Sequence, residues 1–284
     1  MNQLISSHRT TNVITWHLGR SDARVDQVAV EEPMEIRVLY GPADRRVLSV
    51  VTITMRTPGH DEELAVGFLY SEGLLQSPTE IEQIESRGVD DQGRPTGNIL
   101  RVHLRPEVQF DPTRLQRNFL ANSSCGVCGK ASLDALAVAG LQPLNLDDLR
   151  VSSAVVGEMP QRLRQRQPTF AQTGGLHGSG LCSTDGEFTC VREDIGRHNA
   201  VDKLLGRAFM ESRVPLTRQI LVVSGRVSFE ILQKAMVAGV TTVVAVGAPS
   251  SLAVETARRF NVTLVGFASA ERFNVYASPI RIGP

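Results

Sequence analysis

Cys125 and Cys128 stand three residues apart in Ser123-Ser124-Cys125-Gly126-Val127-Cys128-Gly129-Lys130, in a chain with four cysteines. An apolar stretch suited to a helix, Ala131 to Ala139, follows at once. A thiol near a helix N-terminus feels its partial positive charge, and Lys130 adds a full one. Both favour the thiolate, the reactive form of cysteine. The flanking glycines let the backbone bend and leave the sulfurs open to a partner. The chemistry open to such a pair is redox cycling, sulfur carriage or metal binding. A structural zinc site calls for a second pair at similar spacing. Cys182 and Cys190 lie eight residues apart, and only a shifted turn would bring them together. They read as half-buried strand cysteines.

The polar residues cluster in a few places. Arg192-Glu193-Asp194-Ile195-Gly196-Arg197-His198-Asn199-Ala200-Val201-Asp202-Lys203 is dense in charge where a helix begins. One capping side chain suffices for a helix start, so this segment reads either as a solvated turn or as the wall of a polar pocket. Asn199 and Asp202 lie i, i+3 and share a helix face. Ser224-Gly225-Arg226-Val227-Ser228 ends an apolar strand and opens a helix, placing N–H groups, hydroxyls and a guanidinium together. That set suits an anion or a nucleotide. Gly174 to Gly180 reads equally as a phosphate cradle or a turn-rich loop. His177 within it has no evident carboxylate partner and reads as structural. The rings of Arg272-Phe273-Asn274-Val275-Tyr276 suit either a purine or the packing of the tail.

These groups need a scaffold. With 284 residues, 42% of them hydrophobic, the chain can bury a sizeable core and suits one large domain plus a smaller one. Thirty basic residues balance thirty acidic ones. Nothing global attracts nucleic acid or an anionic membrane. No apolar run reaches the ~20 residues that cross a bilayer, and residues 1–20 lack the apolar core of a secretory signal. The expected compartment is the cytoplasm, where free thiols are the rule. Residues 1–25 are polar and read as a flexible N-terminus. A smaller α+β region spans 26–120, with strands over 35–40, 47–55 and 99–104 and a helix opened by His60-Asp61-Glu62-Glu63. The cysteine-bearing loop and helix occupy 121–140. The last domain, 141–284, alternates strand and helix: 219–224, 229–238, 242–246, 250–260 and 262–267. This implies parallel strands covered by helices. Ligands bind such sheets at the carboxyl ends of the strands. Asp185-Gly186 is the favoured pair for a two-residue hairpin turn.

Taken in order, SSCGVCGK, QTGGLHGSGL, REDIGRHNAVDKLLG, VVSGRVSFEILQKA and the RFNVY near the end resemble the FdhD family over roughly residues 30–282. The resemblance implies an α/β fold with a cytidine-deaminase-like mixed sheet covered by helices, preceded by a smaller N-terminal β-containing region, and a homodimer. It implies a sulfurtransferase that takes persulfide sulfur from a cysteine desulfurase. The sulfur passes to the bis-guanine-dinucleotide molybdenum cofactor of formate dehydrogenase, bound as substrate. Cys125 would carry the persulfide and Cys128 would share the catalytic role. The guanine end, which GDP would mimic, would sit against Phe267, Ala268, Ser269, Ala270, Glu271 and Arg272. Ser224, Gly225, Arg226, His198, Asn199 and Asp202 would complete the wall. Two other classes stand beside this: a cofactor-binding chaperone that moves no sulfur, and a dithiol redox protein. Deamination fails on chemistry. His177-Gly178-Ser179 has serine where a zinc deaminase needs glutamate, and Ser124 replaces the proline before Cys125.

Overall fold

The computed structural model describes residues 6–89, 95–111, 142–144 and 149–284. Cys125 and Cys128 lie outside the described residues.

The chain opens with a hairpin of β1 (His8–His17) and β2 (Arg20–Ala29), paired through ten residues on each strand. This corrects the expectation of a loosely held start. Alternation explains it: Ile14 and Trp16 share one face with Ala23 and Val25, and Arg24 and Asp26 lie on the other. The apolar face is open, with Ile14, Trp16 and Val25 each more than 60% exposed.

A four-stranded sheet follows in the order β4-β3-β6-β5: β3 (Glu32–Tyr40), β4 (Val47–Arg56), β5 (Ile81–Val89) and β6 (Pro95–Leu104). Its inner face, Met34, Ile36, Val38, Leu100 and Val102, is buried. Helix α1 (Asp61–Ser71) crosses from β4 to β5.

The second sheet is six-stranded and mixed, in the order β13-β12-β11-β10-β8-β9. Parallel strands β10 (Ile220–Val223), β11 (Thr242–Ala245) and β12 (Thr263–Gly266) form its centre. Antiparallel strands flank them: β8 (His177–Cys182) and β9 (Phe188–Asp194) on one side, β13 (Asn274–Ala277) on the other. A short parallel pair, β7 (Val151–Ser152) with β14 (Ile282–Gly283), closes the chain's end.

Every residue of β10, β11 and β12 is buried. Their side chains alternate between two cores, as strands covered on both faces require. Leu221, Val243 and Leu264 face α1, α4 (Arg197–Met210), α5 (Phe229–Val237) and α6 (Ser251–Arg259). Ile220, Val222, Val244 and Val265 face α2 (Ser153–Gln165). Serine caps open two helices: Ser152 Oγ accepts from Val155 N at 3.3 Å, and Ser250 Oγ from Ala253 N at 3.2 Å. A six-residue helix, α3 (Pro168–Thr173), was not anticipated.

Helices α1 and α4 cross where Gly67 faces Gly206. A Cβ on Gly67 would collide with the Asp202 carbonyl, and one on Gly206 with that of Glu63. Two bare α-carbons let the backbones approach and join the smaller sheet to the larger one.

The β8–β9 hairpin departs from a two-residue turn. Ser183 N donates to Glu187 O at 3.0 Å, leaving the three residues 184–186 as the loop, with Gly186 at φ +80°. A bulge between Leu181 and Cys182 then pairs Leu181 with Cys190. Cys182 therefore joins the α2 core and Cys190 the opposite one. Both are buried rather than half-buried.

Candidate functional site

Ser224, Val246 and Ala268 lie just past the carboxyl ends of the three parallel strands. Beside them lies a cavity of about 680 Å³, within the roughly 300–1,000 Å³ of small-molecule sites. Strand β8 runs antiparallel to β10, so its first residue, His177, arrives at the same end. Ser224 ties the two together: its N donates to Gly178 O at 2.9 Å and its Oγ accepts from Gly178 N at 2.9 Å. Helix α2 contributes Gly157 and Arg164, and Gln167 and Phe170 come from the start of α3. The Arg164 guanidinium lies 3.5 Å from the centroid of the Phe170 ring. Such a stacked pair is a flat, cationic platform.

The segment after β12 forms the rim. Phe267 takes φ +54°, a strained conformation for a bulky side chain, and its ring is 45% exposed. Ser269 and Arg272 close a tight turn, with Ser269 N donating to Arg272 O at 2.9 Å. Ala268, Ser269 and Ala270 line the cavity. Glu271 and Arg272 point to solvent. Phe273 and Tyr276 pack against the two cores, which settles the tail aromatics as packing.

Sequence reasoning missed His177. Its ring lies against the bare α-carbon of Gly225, with Nδ1 3.2 Å from where a Cβ would stand. It lines the cavity, and no hydrogen bond to its ring is present among the described residues. Burial, with Arg197 and Arg226 nearby, holds its pKa below the usual imidazole range. A histidine at the first position of a strand that pairs beside a parallel strand's carboxyl end is the signal that could have found it. That pairing is a tertiary fact.

The charged segment at the start of α4 is chiefly a set of fasteners. Arg192 Nη2 donates to Glu63 Oε1 at 2.7 Å. Glu193 accepts from Thr169 N at 3.0 Å and Phe170 N at 2.7 Å, capping α3. Asp194, fully buried, meets Lys203 at 2.7 Å and accepts from Gly196 N at 2.8 Å. Asn199 Nδ2 donates to Met55 O at 2.7 Å. Asp202 meets Lys234 at 2.8 Å. All but the local Asp194–Gly196 bond join α4 or β9 to another element. Arg197 and His198 lie near enough to His177 to help lower its pKa.

The twelve residues expected around a nucleotide are thus divided. Ser224, Ala268, Ser269 and Ala270 line the larger cavity. Gly225 and Arg226 adjoin it through His177. His198, Asn199 and Asp202 instead border a second cavity of about 360 Å³ under the four-stranded sheet. There His198 Nε2 meets Glu230 Oε2 at 2.8 Å, and that contact lowers the Glu230 pKa. The glycine-rich segment is likewise split. Gly174 and Gly175 line the larger cavity, whereas Gly178 and Gly180 are buried in β8.

Flanks of the cysteine-bearing stretch sit elsewhere. The Phe110 ring packs at a tilt against Tyr40, centroids 4.8 Å apart, and Leu144 N donates to Phe260 O at 3.0 Å. Phe260 precedes β12, so Leu144 is tied to the end of the sheet away from the larger cavity. Cys182 and Cys190 are unsuited to reaction: burial pushes the Cys182 thiol up to about 12 and raises Cys190. Among the described residues no cluster of three or more His, Cys, Asp or Glu could hold a metal ion. None of the helices among them is long and apolar enough to cross a membrane.

Residues 29–283 match the FdhD/NarQ family. The chain belongs to that family. Relatives named sulfur carrier protein FdhD include one from Streptomyces coelicolor, 45% identical over 93% of this chain and 92% of its own. Another, from Thermoplasma volcanium, is 40% identical over 98% and 96%. A crystal structure from Desulfotalea psychrophila, designated a formate dehydrogenase accessory protein, superposes with a TM-score of 0.73. It is 26% identical and covers 98% of this chain and 100% of its own. The expected mixed α/β fold with a smaller β-containing N-terminal part is therefore the FdhD fold.

Proposed function

We propose that this FdhD-family chain is a cytoplasmic sulfurtransferase serving formate dehydrogenase. In this reading the thiolate of Cys125 attacks the outer sulfur of a cysteine desulfurase persulfide. A new S–S bond forms to Cys125, the donor's S–S bond breaks, and the donor leaves as a thiolate. The acceptor is the bis-molybdopterin guanine dinucleotide cofactor, bound as substrate. Its guanine dinucleotide end occupies the cavity at the carboxyl ends of β10, β11 and β12.

One observation carries the nucleotide half: a cavity of nucleotide size lined by the Arg164–Phe170 platform and by His177, with Arg197 and Arg226 near enough to His177 to help lower its pKa. A planar base suits the first and a diphosphate the second. The names of the relatives support the sulfur half. The active form is a homodimer, and the open apolar face of the β1–β2 hairpin supports a second copy as its cover.

Intact-protein mass spectrometry after incubation with a cysteine desulfurase and cysteine tests the carrier. The expected result is a reducible gain of one sulfur on the 125–128 peptide, lost in Cys125→Ala. No gain with an active desulfurase would leave the non-catalytic cofactor chaperone as the better reading. Full formate dehydrogenase activation by Cys128→Ala would exclude a dithiol redox cycle.

A further inference from the structure

His177 is the one cavity-facing group described above whose charge can change near neutral pH. The groups that act on it come from every element around it: Arg197 and His198 at the start of α4, Arg226 after β10, and Asp194 at the end of β9. Three of these four oppose a proton on the ring. Burial above all, then Arg197 and Arg226, hold its pKa below the usual imidazole range, and the ring borders a cavity whose lining also includes Arg164. Arg197 Nε is buried and lacks an acceptor among the described residues.

We propose that His177 takes up a proton from solvent when a phosphate-bearing ligand enters the cavity, so that the imidazolium helps hold the anion. This rests on the nucleotide reading above. The physical cause is local neutralisation. The incoming negative charge offsets the two guanidiniums that oppose protonation and supplies an attractive partner for the charged ring. Binding and protonation are then linked, and the linkage is reciprocal. Affinity rises as pH falls through the pKa of the bound state and levels off below that of the free state. Each unit between the two tightens binding about tenfold. Gly225 lets the ring sit close, because a Cβ there would stand 3.2 Å from Nδ1 and require a shift of a few tenths of an ångström.

The experiment is calorimetry of GDP binding to the full chain between about pH 5.5 and 8, where an imidazole titrates. Each titration is run in two buffers of different protonation enthalpy, which gives the number of protons taken up. The terminal phosphate of GDP also titrates in this range and, among guanidiniums, releases protons. The quantity that reports His177 is therefore the difference between the wild type and His177→Gln. The expected difference is net uptake approaching one proton per site, with the low-pH tightening lost in the variant. Inorganic pyrophosphate is run in parallel, and the Cε1–H resonance of His177 is followed by NMR in the wild type. Equal proton counts in wild type and variant, or an unmoved His177 titration with ligand bound, would overturn the proposal. Binding of pyrophosphate but not GDP, with His177-linked uptake, would sink the guanine reading and leave this one standing. If neither anion binds, both fail.

Discussion

Asp202 and Lys234 meet at 2.8 Å between α4 and α5, and both side chains are buried. Ser71 completes the contact, its hydroxyl donating to Asp202 Oδ1 at 2.9 Å and accepting from Lys234 Nζ at 2.8 Å. Burial opposes the charge on Lys234, but Asp202 and Glu72 outweigh it and raise its pKa. A residue read from sequence as a pocket wall is therefore part of the joint between α1, α4 and α5. Removing one partner leaves a buried, uncompensated charge and costs about 3–5 kcal/mol. Asp202→Asn should show that loss in urea denaturation, and Asp202→Leu with Lys234→Met should recover much of it. Nucleotide affinity should stay near that of the wild type in the double variant.

Acid stability should depend on Glu63. Burial alone would raise its carboxyl pKa, but hydrogen bonds from Arg192 and His60 prevail and hold it at about 2, against an ordinary 4.5. Its folded-state pKa is depressed, so the stability it contributes is present above about pH 4.5 and is lost as pH falls toward 2. Glu63→Gln should lower stability at neutral pH and reduce the acid dependence in that window. Denaturant midpoints at neutral and acid pH for both proteins check this.

Two of the four cysteines should resist alkylation. Cys182 and Cys190 are buried in opposite cores with raised pKa values, so little thiolate is present and no reagent can reach it. Peptide mapping after iodoacetamide should find both unlabelled in the native protein and both labelled in urea. Labelling of Cys182 in the native protein would show that the α2 layer opens.

Trp16 is the chain's single tryptophan and is 71% exposed on the hairpin's apolar face. Its fluorescence therefore reports directly on whether a second copy covers that face. The proposed dimer should show blue-shifted emission and protection from acrylamide, both lost with Ile14→Asp together with a drop to monomer mass in light scattering. A dimer with water-like emission would place the interface elsewhere.

The sequence by itself determined the helices and strands of the last third. Runs such as Ile220–Val223 are apolar at every position, and only a strand covered on both faces buries them all. Serines at 152 and 250 supplied caps that depend on nothing beyond three residues. The motif order also determined the family. Tertiary structure decided which polar residues meet. Asn199 and Asp202 share a helix face in any reading, but only the crossing of α1 and α4 at Gly67 and Gly206 commits them to fastening. The pairing of β8 beside β10 brings His177, 47 residues before Ser224 in the chain, to the same strand end. The start of the chain was misread for a related reason. The β1–β2 hairpin has an open apolar face, and an alternating pattern too short and too polar to require a core shows itself only once its partner strand is in register.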